Sequence, residues 1–155
     1  IKAFEFAHQN NIYCTAHAGE ALGAESVKST LKNLKPHRIG HGVRCIEDDL
    51  LLKKIKEQNI HLELCLTSNI VTKVFENKDD HPVDFLFKRE ISVSINTDGR
   101  TISDTTLNKE YKILNEEFNW LKNEFLKVNI NAMQASFSSK ELKERIISKL
   151  YKFYD

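Results

Sequence analysis

Cys14-Thr15-Ala16-His17-Ala18-Gly19-Glu20 ends a hydrophobic run in residues that can do chemistry. The same design returns in Arg38-Ile39-Gly40-His41-Gly42, in Leu62-Glu63-Leu64-Cys65-Leu66-Thr67-Ser68-Asn69, and in Ser94-Ile95-Asn96-Thr97-Asp98. Parallel strands of an α/β barrel carry their functional groups at their C-terminal ends, where the following loops share one mouth. One His or Asp at a strand end means little. A His, a Glu, a second His and an Asp on three such ends can converge.

Working outward, apolar spacing predicts strands over Ile12 to Ala16, Arg38 to Gly40, His61 to Leu66 and Ile91 to Asn96. Between them lie helical patterns: Ile1 to His8, Ala24 to Leu34, Glu47 to about Gln58, and His81 to Arg89. Lys35-Pro36 stops the second of these, and Glu47-Asp48-Asp49 puts acids in the first turn of the third, where the helix dipole favours them. The stretch from Thr67 to Asp80 reads as irregular. After Thr101 only helices follow: Thr105 to Phe118, Trp120 to Phe137, and Lys140 to Tyr154, with Ser138 or Ser139 as N-cap of the last. Strand-helix alternation repeated four times implies βαβ units and a parallel sheet. Four strands are half of the eight that close a barrel, so the chain is half a barrel or a small open sheet. It starts inside a helical pattern, which favours half a barrel. The strand side chains expected to face the barrel interior are Ile12, Ile39, Leu64 and Ile95.

Bulk properties narrow the function. The 155 residues form one domain, 1–155, with a net charge of +1 and no basic stripe of the kind nucleic acid requires. No apolar run approaches the roughly 18–20 residues of a membrane helix. Cys14, Cys45 and Cys65 are odd in number, widely spaced and form no CxxC pair, which excludes a cysteine zinc site and suits a reducing cytoplasm.

Each candidate residue has an ordinary reading. His17 and Glu20 can be a zinc ligand with a neighbouring carboxylate, or a polar strand end before a helix. His41, between Gly40 and Gly42, can be a catalytic or a turn histidine. Asp98 can be a metal ligand, a general base or a cap. Ser68-Asn69 can be a polar turn, and His8, His37, His61 and His81 read as structural or solvated.

In order and spacing, His17-Ala18-Gly19-Glu20, Arg38-Ile39-Gly40-His41-Gly42, Leu66-Thr67-Ser68-Asn69, Asn96-Thr97-Asp98, Asn129-Ile130-Asn131-Ala132 and Ser136-Phe137 resemble the C-terminal half of adenosine deaminases. Relatives in that family act on adenine, AMP or N6-methyl-AMP. The resemblance implies an α/β fold, the C-terminal half of a (β/α)8 TIM-type barrel with four parallel strands followed by C-terminal helices. It implies zinc-dependent hydrolytic deamination of adenosine, a purine nucleoside substrate, and these roles: His17 a zinc ligand; Glu20 the acid that protonates purine N1; Gly19 an N–H donor to purine N3; His41 a hydrogen-bond partner of the attacking hydroxide; Asp98 a zinc ligand and proton acceptor. Adenine or a modified adenine nucleotide is the alternative substrate, and a non-catalytic assembly module the alternative class.

Two features depart from the family pattern. The His-x-His that supplies two further zinc ligands is absent. The residue after Asp98, commonly an Asp or Asn that meets purine N7, is Gly99. The expectations are therefore an incomplete Zn2+ ligand set, an isolated chain without activity, and association with the missing N-terminal half or with itself. No nucleic-acid or membrane partner is expected.

Overall fold

A computed structural model describes residues 1–155. Helix α1 (Lys2–Gln9) precedes β1 (Thr15–Ala18), α2 (Ala24–Asn33) and β2 (Arg38–His41). A 3₁₀ turn over Val43–Glu47 leads into α3 (Asp49–Glu57), β3 (His61–Leu64), α4 (Leu66–Val71), α5 (Val83–Lys88) and β4 (Val93–Ile95). Helices α6 (Leu107–Phe118), α7 (Lys122–Ala135) and α8 (Lys140–Tyr154) complete the chain. The four strands form one parallel sheet in sequence order, β1-β2-β3-β4, the arc expected of half a barrel. No helix is long and apolar enough to cross a membrane.

β2 and β3 begin where their apolar patterns suggest, but β1 and β4 begin later, and the reason is helix termination. Nine non-glycine residues have positive φ. Six of them, Asn11, Lys35, Asn59, Lys73, Glu90 and Asn119, sit at the ends of α1 to α6. After four of these helices the next residue returns its N–H to the last turn, as in a Schellman motif: Ile12 to the Ala7 carbonyl (2.8 Å), Ile60 to Ile55 (3.0 Å), Val74 to Asn69 (2.9 Å) and Ile91 to Leu86 (3.1 Å). Ile12 and Ile91 are thus helix-closing residues rather than strand residues, which corrects the expected starts of β1 and β4. The expected irregular stretch after Leu66 begins instead with α4, and β3 ends at Leu64.

The two faces of the sheet have opposite character. Ala16, Ile39, Leu62 and Val93 share one register row, and Ile39, Leu62 and Val93 are fully buried. With Leu64 and Ile95 they join Val27 and Leu31 of α2, Leu51, Leu52 and Ile55 of α3, Leu86 of α5 and Leu114 of α6 in one core. Ile39, Leu64 and Ile95 therefore pack beneath the helices and do not line the barrel interior as expected, whereas Ile12 is exposed and precedes β1. The opposite face is polar. Arg38 pairs with Glu63 (3.1 Å), Thr15 donates to Glu63 (3.2 Å), and His61 bridges Ser92 (2.8 Å) and Ser94 (2.9 Å). The guanidinium of Arg38 lies 3.9 Å over the ring of Phe137, which stacks on Tyr13. The sequence hides this arrangement because both strand faces alternate among short segments of only three or four residues.

The C-terminal helices behave as expected. Ser139 caps α8 by accepting from the Leu142 N–H. Helix α7 packs on β4 and α8. Trp120, buried between α6 and α7, donates its indole N–H to Asp84 at 2.9 Å.

Candidate active site

His17, Glu20, His41 and Asp98 meet at the C-terminal end of the sheet. His17 is the third residue of β1, and Glu20 lies just past Gly19, which takes φ +67. A side chain at Gly19 would both strain that backbone and strike Val27 at 2.5 Å, so the turn that delivers Glu20 depends on glycine. His41 ends β2 with φ 61, and Asp98 follows β4 with φ 54. Neither ends a helix. Non-glycine residues held in this region cost free energy, and such strain gathers at functional sites.

His41 Nε2 stands 3.5 Å from a Glu20 carboxylate oxygen and 4.0 Å from Asp98 Oδ2. One donor atom each from His17, His41 and Asp98 falls within a 4.8 Å cluster. The rings of His17 and His41 have centroids 5.3 Å apart. Two imidazoles and a carboxylate are the nitrogen and oxygen donors a borderline cation such as zinc accepts. Gly19, the expected donor to substrate, gives its N–H to Ser26 Oγ at 2.9 Å. Gly99 adjoins open space: a Cβ there would meet only Ile102, at 3.6 Å.

Sequence reading picked out Ser68-Asn69 at a strand end and took His81 as structural, but passed over Thr72 and Glu110 among the residues that hold these groups. Ser68 Oγ donates to Asp98 Oδ2 at 2.9 Å, and Asn69 Nδ2 donates to His41 Nδ1 at 3.1 Å. Thr72 Oγ1 donates to Glu20 at 3.4 Å. His81, buried, meets Asn69 Oδ1 through Nε2 at 3.1 Å. Burial, with His41 nearby, pushes the His81 imidazole down to about 3, so it stays neutral. Glu110 is fully buried on α6; it accepts the Thr105 hydroxyl at 2.6 Å and the Thr67 N–H at 3.2 Å. The Thr67-Ser68-Asn69 run was visible in sequence as a strand end. Nothing in the helical pattern of α6 marks Glu110 as inward.

A cavity of about 650 Å³ lies elsewhere, at the N-terminal end of the sheet among Tyr13, His61, Phe87, Asn131 and Phe137, and one of about 630 Å³ opens beside Asp98, Arg100 and Thr106. In α/β barrels chemistry sits at the C-terminal face, and the four converging groups are there. We place the site with them and not with the larger void.

A four-stranded parallel arc with ionisable groups at the ends of β1, β2 and β4 defines part of an α/β barrel with its candidate site at the C-terminal face. The adenosine deaminase family model matches residues 1–153, and the chain belongs to that family. It is 37% identical over 154 residues to adenosine deaminase of Danio rerio, covering 99% of this chain and 43% of the relative. It superposes on the crystal structure of adenine deaminase from Arthrobacter aurescens with a TM-score of 0.94 at 22% identity, covering 98% of this chain and 46% of that one. For the N6-methyl-AMP deaminase of Arabidopsis thaliana the TM-score is 0.83 at 31% identity, covering 99% and 44%. The chain thus spans less than half the length of the relatives it matches.

Proposed function

We propose that this chain supplies the proton-transfer half of a zinc-dependent deaminase that hydrolyses adenosine to inosine and ammonia. The observation that carries the proposal is the convergence of Glu20, His41, His17 and Asp98 in a chain of this family. His17 and Asp98 are the residues to hold the metal, with further ligands from outside the chain, because catalytic zinc normally has three protein ligands. Bound zinc supplies a hydroxide nucleophile at neutral pH.

The chain's own groups then divide the work. Glu20 in its acid form donates a proton to purine N1, which makes the adjoining carbon electrophilic. His41, beside Glu20 and Asp98, hydrogen-bonds the attacking oxygen and fixes its line of approach. Asp98 takes the proton that water gives up. Asp98 passes that proton to the amino group, which leaves as ammonia, and the new hydroxyl gives its proton back to Glu20 as the carbonyl forms. Gly19 offers its N–H to purine N3 after exchanging it from Ser26. Gly99 provides no side-chain donor for N7, an acceptor, so that edge of the base is held less firmly.

The relatives' substrates include adenosine, adenine and N6-methyl-AMP, and each is a deamination at the same ring carbon. The test is release of the amine by the complete protein with zinc, offered adenosine, adenine, AMP and N6-methyl-AMP in parallel: ammonia from the first three and methylamine from the last. Adenosine should give the highest kcat/KM. No ammonia or methylamine from any of the four would refute the deaminase reading; a preference for another of them would correct the substrate.

A further inference from the structure

Behind His41 runs a file of buried polar groups whose direction is fixed at its far end. His41, Asn69 and His81 are 1%, 0% and 2% exposed. The file ends on a main-chain N–H, which can only donate: Val83 gives it to His81 Nδ1 at 3.2 Å. A ring nitrogen that accepts carries no proton, so the neutral His81 ring carries its proton on Nε2. That N–H donates to Asn69 Oδ1 at 3.1 Å. An amide accepting on its oxygen turns its NH₂ to the other side, where it donates to His41 Nδ1 at 3.1 Å. Reversing the amide would set its NH₂ against the His81 N–H, two donors face to face in a buried place. Only one arrangement pairs every donor with an acceptor.

We propose that Asn69 and His81 are positioning residues that, anchored on the Val83 N–H, hold His41 in its Nε2–H tautomer with that N–H aimed into the site. The consequence is chemical. A nitrogen that carries a proton donates a hydrogen bond but does not ligate a metal. His41 is therefore a donor to the attacking oxygen, although its ring lies within the 4.8 Å cluster with His17 and Asp98. It also does not take the proton from water, which leaves that duty to the carboxylates. This assignment deepens the deaminase reading and rests on it for its meaning in catalysis, whereas the tautomer is measured without turnover.

The test is ¹⁵N NMR of the histidine-labelled complete protein, with the His41 and His81 rings assigned by single substitution. Both rings should show a protonated Nε2 and a bare Nδ1 in the unaltered protein. Asn69→Asp removes the donor and leaves an acceptor beside His41, so the His41 proton should move to Nδ1. A catalytic histidine in the wrong tautomer has cost about 10⁴-fold in kcat elsewhere, and a loss toward that size is expected here with KM changed much less. His81→Leu frees the amide to turn and should cost about 10–100-fold in kcat. His81→Gln keeps an N–H to Asn69 and should restore both tautomer and turnover. A proton on Nδ1 of His41 in the unaltered protein overturns the proposal. So does a His81→Gln protein that folds but falls as far as His81→Leu, since His81 would then serve packing alone. The Nε2–H tautomer found in a protein that releases neither ammonia nor methylamine from any of the four substrates supports the relay and overturns only the deaminase reading.

Discussion

Gly40→Ala isolates the placement of His17 from the stability of the fold. Gly40 lies beside His17 in the β1–β2 register, on the open face of the sheet. A Cβ at Gly40 would come 2.6 Å from His17 Cδ2 and 2.9 Å from Nε2, where ordinary contact begins at 3.4 Å. The imidazole has to retreat by about 1 Å. Zinc–nitrogen bonds tolerate about 0.2 Å, so the ring leaves its bonding position, and metal affinity should fall by about 100-fold or more. The His17 side chain is exposed and can swing away without opening a cavity. Gly40 has no positive φ, and alanine in a compatible backbone reduces the freedom of the unfolded chain by about 0.4–1 kcal/mol. Melting of the metal-free protein should thus stay the same or rise slightly. Gly99→Ala, with its Cβ facing only Ile102 at 3.6 Å, is the control that should alter neither property. Zinc affinity by chelator competition, beside thermal melts of the apo proteins, separates the outcomes. Unchanged zinc affinity in Gly40→Ala would show that His17 is not a ligand.

Three further predictions concern single groups. Glu20→Gln should lower adenosine turnover by about 10²–10⁴-fold with zinc content retained, whereas Asp98→Ala should lose metal and activity together; near-normal turnover by Glu20→Gln would remove its role as acid. Gly99→Asn restores an amide N–H donor opposite purine N7, which is an acceptor, and should tighten adenosine binding by up to about tenfold, the worth of one net hydrogen bond, as read from KM and from inhibitor titration; unchanged affinity would mean that another group already serves N7. Burial, with a smaller contribution from Arg38, pushes His61 down to about 4 from an ordinary 6.5. The unfolded chain therefore binds the extra proton first, so the stability from neutral His61 is complete above about pH 6.5 and is lost as pH falls toward 4. The loss reaches about 3 kcal/mol. Urea midpoints at about pH 7.5 and pH 4.5 should differ by less in His61→Gln than in the parent, and an equal difference would count against a neutral buried His61.

The outline of the fold was legible because alternation of strand and helix survives even in short strands. The parallel sheet, its order and the three terminal helices all follow from it. The faces of the sheet were not legible, since segments of three or four residues give too little periodicity to tell the side under the helices from the barrel interior. Arg38, Glu63 and Thr15 look like scattered polar residues until the register sets them side by side. The group at the site was legible in part. His17, Glu20, His41 and Asp98 stand at strand ends and are brought together as expected. The positions of Ser68, Asn69 and His81 were legible but not their partners, and Thr72 and Glu110 were opaque, for one physical reason: the partners are distant in sequence, and a satisfied buried polar residue carries no local mark of its partner.

Helix α4, with the residue that follows it, shows how the site keeps its shape. His41 and Asp98 both hold strained backbone, and strain persists only where the surroundings over-determine it. The bonds that do so come largely from one short segment. Ser68 grips Asp98, Asn69 grips His41, and Thr72 reaches Glu20, so residues from three different strand ends are tied to a single turn and a half of helix. That segment is itself fixed at its start, where the buried carboxylate of Glu110 holds the Thr67 N–H and the Thr105 hydroxyl. A buried carboxylate without partners would be costly, and its two hydrogen bonds make the docking of α6 and the position of α4 a single arrangement. The element after β3 thus contributes none of the groups assigned to proton transfer or metal binding. It sets the distances among Glu20, His41 and Asp98, and those distances decide whether a proton can pass between substrate and chain.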